Sequence, residues 1–200
     1  IADLPPLGYR VYQLKTKEPD AESANAESTD IETVGVEASE TTLENTRFRL
    51  TFDPDTGYLI SLYDKEADVE VLTGPAARPV VIDDPSDTWS HGVFRFDDEV
   101  GAFTATGMRV LESGPVKAVL RVESTYGRSR LIQDFTLYGG RFGPPRIDVH
   151  VTVDWHEQFK MLKLRFPVNV ERMTAAHAVP YGHIEREPNG EEEAIQGWVD

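Results

Sequence analysis

Residues 146–166 show an alternation of apolar and polar side chains that predicts two β-strands joined by a short polar turn. In the first strand five apolar residues alternate with five polar ones: Ile147, Val149, Val151, Val153 and Trp155 against Asp148, His150, Thr152, Asp154 and His156. A period of two places the two sets on opposite faces of a sheet. The partner strand repeats the pattern through Leu162, Leu164 and Phe166. We therefore expect two half-buried antiparallel strands, each with one face on a core.

The same β-type pattern begins at Leu43 and continues along most of the chain. Short alternating segments, such as 48–52, 78–82 and 116–124, are separated by turn signals that include the Asp, Pro and Gly of 53–57. No window shows helical periodicity, and no repeat of fixed period is present. The pattern predicts an all-β domain over residues 43–200, built as an antiparallel sandwich or barrel.

The first 42 residues have a different composition. Residues 1–14 carry a proline pair and a strand-like alternation, which we interpret as the end of a preceding β-element. Residues 15–42 are acidic, rich in Ser, Thr and Ala, and without an aromatic residue, so they predict a flexible linker or long loop. Because the chain starts without methionine and stops after a strand-like Trp-Val pair, we expect a truncated sandwich cut from a longer protein.

Charge and composition narrow the classes of partner. The chain has 35 acidic and 20 basic residues, a formal charge of −15, which argues against nucleic acid and anionic membranes. A neutral polar ligand such as a sugar is compatible with this charge. No apolar run approaches the roughly 20 residues needed to span a bilayer. The absence of cysteine excludes disulfide and thiolate chemistry and, with no signal peptide visible, predicts a cytoplasmic location.

The polar face of the first strand offers one candidate for chemistry. Its acids and histidines are Asp148, His150, Asp154 and His156. Neighbouring side chains on one strand face are roughly 7 Å apart, so two adjacent ones could share a metal ion, whereas four spread over eight residues could not without other ligands. The simpler interpretation is a solvated sheet face, or cross-strand ion pairs with Lys163 and Arg165.

Two polar loops offer the second candidate. They are 83–92, with Trp89 and His91, and 180–188, with Tyr181, His183 and Arg186. Aromatic rings beside hydrogen-bond donors suit a sugar, because its C–H faces stack on rings and its hydroxyls form hydrogen bonds. Loops also carry binding residues more often than strands do. The structural alternative is that Trp89 and Tyr181 plug the ends of the sandwich.

Four stretches in fixed order resemble the C-terminal β-region of bacterial α-mannosidases of glycoside hydrolase family 38: TLENTRFRLTFDPDTGYLISLYDKEADVEVL, DDPSDTWSHG, PRIDVHVTVDWHEQFKMLKLRFPV and VPYGHIEREP. The leading DLPPLGYRVYQL resembles the piece just before that region, so the resemblance covers nearly all of the chain except the acidic linker. It implies a large antiparallel β-sandwich of the galactose-mutarotase-like, or supersandwich, type. In the family this sandwich packs on a catalytic barrel and lends loops to the rim of the sugar site.

The resemblance also implies a function. It identifies the chain as the non-catalytic portion of a retaining α-mannosidase that hydrolyses terminal α-mannosides. The catalytic residues and the zinc are expected in the missing N-terminal catalytic domain, which leaves this fragment inactive by itself and without catalytic residues, metal or cofactor. Expected partners are that domain, α-mannoside sugars and, as an option, a second copy of the chain.

Residue roles follow from the same resemblance. By motif position Arg186 matches the arginine that approaches the substrate, with Tyr181 and His183 beside it. The loop with Trp89 and His91 matches a second rim loop.

The residues by themselves are also compatible with two other functions. One is a stand-alone sugar-acting enzyme of the mutarotase kind, in which His150 or His156 acts with a carboxylate on an adjacent strand inside a concave pocket. The other is a carbohydrate-binding module without catalysis, in which Trp89 and Tyr181 serve as stacking platforms.

Overall fold

The computed structural model describes residues 35–139, 146–170 and 174–200, which form strands and turns and contain no helix. The strands in chain order are β1 (Glu37–Ala38), β2 (Thr42–Glu44), β3 (Phe48–Phe52), β4 (Leu59–Asp64), β5 (Val69–Glu70), β6 (Arg78–Asp83), β7 (Glu99–Ala102), β8 (Thr104–Ser113), β9 (Lys117–Tyr126), β10 (Ser129–Tyr138), β11 (Ile147–Asp154), β12 (Lys160–Arg165), β13 (Ala175–Val179) and β14 (Gly182–Arg186). Within these ranges no helix of the length and apolarity that a membrane crossing requires was found.

Four sheets are present in the described ranges, with strand orders β1-β2-β3-β4-β5, β11-β10-β9-β8, β12-β6-β7 and β13-β14. Every strand pair in them is antiparallel. Most neighbours in a sheet are also neighbours in sequence, as in meanders joined by short turns. The prediction of an all-β antiparallel fold is confirmed.

The main core lies between the five-stranded and four-stranded sheets. Alternate residues of β10 from Ser129 to Leu137 are buried, and the same period of two runs along β3. Phe52 and Phe135 meet edge to face, with ring centroids 4.8 Å apart and planes at 66°. Burying a large apolar side chain of this kind contributes about 1.5–3 kcal/mol to stability. Two sheets closed face to face on one apolar layer make a β-sandwich, as predicted; its galactose-mutarotase-like type stays a prediction.

A second, smaller core joins the three-stranded sheet to the other end of the four-stranded sheet. Val81, Phe103 and Leu131 form its buried centre. Trp155 lies against Phe103, with ring centroids 6.3 Å apart. The buried amide of Gln133 donates a hydrogen bond of 2.9 Å to the Ala77 carbonyl, which satisfies both groups where the two cores meet. The four-stranded sheet is therefore the element on which the five-stranded and three-stranded sheets pack.

The strands predicted at 146–166 are present as β11 and β12, but the prediction that they pair with each other is wrong. β11 pairs with β10, and β12 pairs with β6 in a different sheet. The connection explains the separation: the Glu157 carboxylate accepts hydrogen bonds from the Arg128 amide, at 3.0 Å, and the Ser129 hydroxyl, at 3.1 Å. These bonds hold the connection against the β9–β10 turn, so the chain leaves one sheet there and enters the next.

The strand pairing begins earlier than residue 43. β1 lies within the stretch interpreted as linker and pairs with Leu43 and Glu44 of β2, and Val36, just before it, is buried in the main core. The β1–β2 and β2–β3 pairings and the buried Val36 side chain thus attach residues 36–44 to the sandwich, although most of these residues are polar. The β-element predicted at 1–14 and most of the linker predicted at 15–42 lie outside the described residues.

Candidate functional site

The turn between β13 and β14 places one candidate residue at an exposed tip. The hairpin register pairs Val179 with Gly182, so Pro180 and Tyr181 form a two-residue turn. Tyr181 has φ of 69°, and proline followed by a positive φ is the pattern of a type II turn. Its side chain is fully exposed. Tyr181 therefore projects into solvent and does not plug the sandwich.

A third segment completes this part of the molecule. Residues 196–200 run along the other edge of β13, with the Ala176 amide 2.7 Å from the Asp200 carbonyl and the Ala178 amide 3.0 Å from the Trp198 carbonyl. β13 therefore lies between β14 and the 196–200 segment. We call these three segments the terminal sheet. Because side chains alternate along each strand, the terminal sheet has two faces with different residues.

The two faces separate residues that the sequence placed in one cluster. His183 and Arg186 are three positions apart on β14, an odd spacing, so they project to opposite faces. His183 shares its face with Trp198, at a ring centroid distance of 6.2 Å across Ala178. Arg186 shares its face with His177. The predicted set of Tyr181, His183 and Arg186 is therefore divided among the tip and the two faces.

Arg186 forms a wall of an open pocket of about 360 Å³. Three protein acceptors surround its Nη1 atom: His177 Nδ1 at 3.0 Å, the Ala194 carbonyl at 3.3 Å and Glu193 Oε2 at 3.4 Å. The Arg186 side chain is 28% exposed, which leaves part of the guanidinium accessible from the pocket. Two further acids, Glu187 and Glu191, also line the pocket. We call this the Arg186 pocket.

His177 is the residue of this pocket that the sequence analysis missed. It lies on β13, directly opposite Ile184 and diagonally across from Arg186. The sequence carries a signal for this pairing, because 175–179 is typical of a short strand and Pro180 to Gly182 of a turn, although the whole of 180–188 was interpreted as a loop. Pairing the two strands across that turn places position 177 on the same face as 186.

The other predicted loop, 83–92, is organised by Asp87. Its carboxylate is 3.0 Å from His91 Nδ1 and accepts a hydrogen bond of 2.9 Å from the Trp89 amide. The hydrogen bond with His91, followed by that from the Trp89 amide, lowers the pKa of Asp87. Trp89 is 80% exposed. This loop therefore presents its two candidate residues outward, and neither lines the Arg186 pocket.

The segments that follow the two loops are nevertheless in contact. The Glu192 amide donates a hydrogen bond of 2.8 Å to the Phe94 carbonyl. Arg95 donates one of 2.7 Å from Nη2 to the Asn189 carbonyl. Lys163 of β12 also forms an ion pair with Glu192. These contacts connect the Arg186 pocket to the segment that follows the Trp89 loop.

Comparison with known proteins agrees with this architecture. The family whose sequence model matches residues 43–200 is described as "Glycosyl hydrolases family 38 C-terminal domain". The chain belongs to this family. It is 26% identical to Alpha-mannosidase G of Dictyostelium discoideum over 141 residues, which are 65% of the chain and 13% of that protein. It is 29% identical to Alpha-mannosidase 2C1 of Homo sapiens over 154 residues, 72% of the chain and 14% of that protein.

A third relative repeats this pattern. Alpha-mannosidase 2C1 of Mus musculus is 29% identical over 154 residues, again 72% of the chain and 14% of the relative. The chain thus spans 13–14% of the length of these relatives. The family 38 domain described above is a small part of each of them.

The outer face of the four-stranded sheet gives this family 38 domain little basis for acid–base chemistry of the mutarotase kind. Asp134 lies directly opposite His150, but Arg121 binds its carboxylate through Nε and Nη2, both at 2.7 Å. Asp154 is 2.9 Å from His156 Nε2, and their side chains are 66% and 52% exposed. A carboxylate held by arginine, or a pair open to water, is a poor general base.

The same strand face of the family 38 domain also lacks a cluster of side chains that could bind a metal ion. In the part of the chain that the structure describes, no group of three or more His, Asp or Glu side chains could hold a metal ion. Asp148 instead accepts a hydrogen bond of 2.8 Å from the Tyr138 hydroxyl. The suggested ion pairs with Lys163 and Arg165 are absent from the described contacts, because β12 lies in another sheet; Arg165 pairs with Glu99 at 2.9 Å.

Proposed function

We propose that the chain is the non-catalytic β-sandwich portion of a retaining α-mannosidase that hydrolyses terminal α-mannosides, and that it lends the Arg186 pocket to the sugar site. The match to a family 38 C-terminal domain over 43–200 supports the parent activity. The names of the relatives support the same reaction class. The observation that supports the sugar contact is the arrangement around Arg186.

The chemistry of the Arg186 pocket suits a neutral polyol. Nη1 is occupied by protein acceptors, whereas Nε and Nη2 have no hydrogen-bond partner among the residues that the structure describes. These N–H groups can donate to neighbouring hydroxyls of a sugar. Three glutamates, at 187, 191 and 193, line the pocket with this single arginine. Such a negative surround disfavours an anionic ligand but does not penalise an uncharged sugar.

Apolar surface on the sandwich supports packing against a catalytic domain. An open apolar groove of about 400 Å³ runs beside β11 and is lined by Leu62, Val149 and Phe166, among others. Phe166, Val168 and Val170 are about half exposed, at 48%, 47% and 50%. Contiguous apolar surface of this kind marks interfaces.

The catalytic chemistry is assigned to the part of the parent protein outside this chain. The nucleophile, the acid and the zinc belong there in this proposal, and the described side chains offer no group that fits a zinc ion. The cytoplasmic location and a homo-oligomeric state stay predictions.

The experiment compares the chain with the complete polypeptide that contains it. The 200-residue chain, assayed with a 4-nitrophenyl α-mannoside with and without added zinc, is expected to give no turnover, and the complete polypeptide is expected to hydrolyse the substrate. In the complete polypeptide Arg186→Ala should lower kcat/KM about 10- to 100-fold, the effect of removing charged hydrogen bonds to substrate.

The control is Arg109→Ala, which removes an exposed arginine of β8 that pairs with Glu123 of β9. It should leave kcat/KM unchanged. Turnover by the 200-residue chain, or full activity of the Arg186→Ala enzyme, would refute the proposal.

A carbohydrate-binding module is the second candidate, favoured by the exposure of Trp89 and Tyr181. Titration of the chain with mannose oligosaccharides, followed by tryptophan fluorescence, distinguishes the two. A saturable change at millimolar sugar that is lost in Trp89→Ala would establish the module. No change at that concentration would exclude the module, and only the scaffold role would remain.

A further inference from the structure

We propose that His177 is the positioning residue of Arg186 and that it acts only in its neutral form. The inference rests on the proposed function, in which Arg186 contacts the sugar. His177 Nδ1 lies 3.0 Å from Arg186 Nη1, across the β13–β14 hairpin. The register places Ala175 opposite Arg186 and His177 opposite Ile184, so the two side chains are diagonal neighbours on one face.

The identity of the two groups determines the direction of this hydrogen bond. A guanidinium only donates, so Nδ1 of His177 must accept. An imidazole nitrogen accepts only when it carries no proton, which places the proton of neutral His177 on Nε2. The Ala194 carbonyl and Glu193 add further acceptors at 3.3 Å and 3.4 Å to the same Nη1. The contacts of the Arg186 guanidinium with the described residues therefore all involve Nη1, and Nε and Nη2 keep their donors for a ligand.

The backbone at His177 is held more firmly than the backbone at Arg186. β13 is the middle strand of the terminal sheet, and His177 bridges to Val199 on one side and pairs with Ile184 on the other. Arg186 lies on β14, whose residues are exposed except for Arg186, which is half-buried. A free arginine side chain loses rotamer entropy when it binds a ligand, and part of that loss is avoided when the guanidinium is already held.

The charges around His177 define what protonation would do. On this face lie Arg186 of β14 and Glu187, Glu191 and Glu193 of the segment after it, while the 196–200 segment contributes the apolar Val199. Glu185 and Asp200 project to the other face, since they pair with Ala176. A protonated His177 loses its acceptor and places a second cation beside Arg186. Arg186 Nη1 then keeps only the Ala194 carbonyl and Glu193 as acceptors, so the arginine is held less firmly.

The test uses the complete polypeptide and the same α-mannoside assay. His177→Ala should lower kcat/KM about 5- to 10-fold, mainly through KM, because one hydrogen bond to a charged group is lost. His177→Asn, whose side-chain oxygen can take the place of Nδ1, should recover most of that loss. The double variant with Arg186→Ala should be no worse than Arg186→Ala alone, since His177 acts through Arg186.

The pH profile separates positioning from a merely structural role. KM of the wild-type enzyme should rise toward acid pH, because a protonated imidazole cannot accept the hydrogen bond of Arg186, and this rise should be absent in His177→Asn. The profile needs no destabilised variant, so it tests the inference even when His177→Ala folds poorly. Arg109→Ala, on the four-stranded sheet, serves as the control and should keep wild-type kinetics.

The outcomes separate the two proposals. Full activity of Arg186→Ala refutes the proposed function. A loss in Arg186→Ala with none in His177→Ala, or additive losses in the double variant, refutes the positioning role alone. An unchanged acid limb in His177→Asn also refutes it.

Discussion

The sandwich core and the terminal sheet are built from the same kind of strand but differ in what surrounds them. In β10 alternate residues are buried, and Phe135 and Leu137 are almost wholly inaccessible. In β13 and β14 one residue, Ala178, is buried, and β14 is exposed along nearly its whole length. Burial decides which way each side chain points in the core. In the terminal sheet both faces are exposed to solvent, so strand register alone decides which side chains are neighbours.

This difference assigns separate tasks to the two regions. A core strand contributes stability because its apolar face leaves water. A strand exposed on both faces contributes little stability, and its polar side chains are accessible to a ligand. Substitutions in the core should therefore change unfolding, whereas those in the terminal sheet should change binding and leave unfolding almost unaffected.

Phe135→Ala should have the largest effect on stability. Phe135 is 1% exposed and packs against Phe52, so truncation leaves a cavity between the two main sheets. We expect the free energy of unfolding to fall by about 3–5 kcal/mol, measured by urea denaturation of the chain. Phe94→Ala is the control, because Phe94 is 67% exposed, and it should cost less than about 0.5 kcal/mol. Similar losses for both would contradict the assignment of the core.

A pair of glycine substitutions sharpens the comparison. Gly57 has φ of +72°, and an added Cβ would lie 2.6 Å from Val122 Cγ1 and 2.9 Å from Ala105 Cβ. Gly57→Ala should therefore cost about 2–4 kcal/mol through backbone strain and overpacking. Gly182, at the start of β14, has open space around it, so Gly182→Ala should stay within about 0.5 kcal/mol of wild type. Urea denaturation of both variants tests this; equal losses would show that the hairpin is packed tightly.

Glu70→Gln should give a smaller, pH-dependent loss. Burial acts to raise the pKa of Glu70, but hydrogen bonds from the Ser61 hydroxyl and from the Leu62 and Leu72 amides outweigh it and lower the pKa below its ordinary value. A carboxylate with a lowered pKa stabilises the fold above its unfolded pKa, and this contribution is lost as the pH falls through the folded value. We expect a loss of about 1–2 kcal/mol at neutral pH.

Unfolding curves of wild type and Glu70→Gln between neutral pH and the acid region measure this effect. The difference in stability between them should narrow as the pH falls through the lowered pKa of the folded-state carboxyl, where the wild-type side chain gains its proton. Glu66→Gln is the control, since Glu66 is 72% exposed and should show little difference at any pH. A difference that stays constant with pH would contradict the role of the charge.

The strand at 147–154 shows how much of the structure the sequence could predict. Its alternation predicted the strand and which residues face the core, and Ile147 and Val149 do pack against the main core. The same alternation said nothing about the neighbour, and the pairing with 160–165 was wrong. Apolar periodicity records burial, but an antiparallel partner is selected by tertiary packing, here by the connection held at Glu157.

The candidate site shows the same limit on a smaller scale. The strand at 175–179 could be predicted from the residues, but the prediction of a loop over 180–188 was wrong, because 182–186 form strand β14 after a two-residue turn. The separation of His183 from Arg186 also follows from their odd spacing, once β14 is known to be a strand. The contact of Glu193 with Arg186 could not be predicted, because it depends on how the segment after β14 folds back over the hairpin.

The sequence by itself determined the class of fold, the position of most strands, the core-facing side of the strands with clear alternation, and the family to which the chain belongs. These follow from local periodicity, turn residues and ordered motifs, all of which are properties of short segments. Tertiary structure alone decided which sheet each strand joins and which polar groups meet around Arg186. Those choices depend on contacts between residues distant in the chain, where several pairings satisfy the same local pattern and only the packed whole distinguishes them.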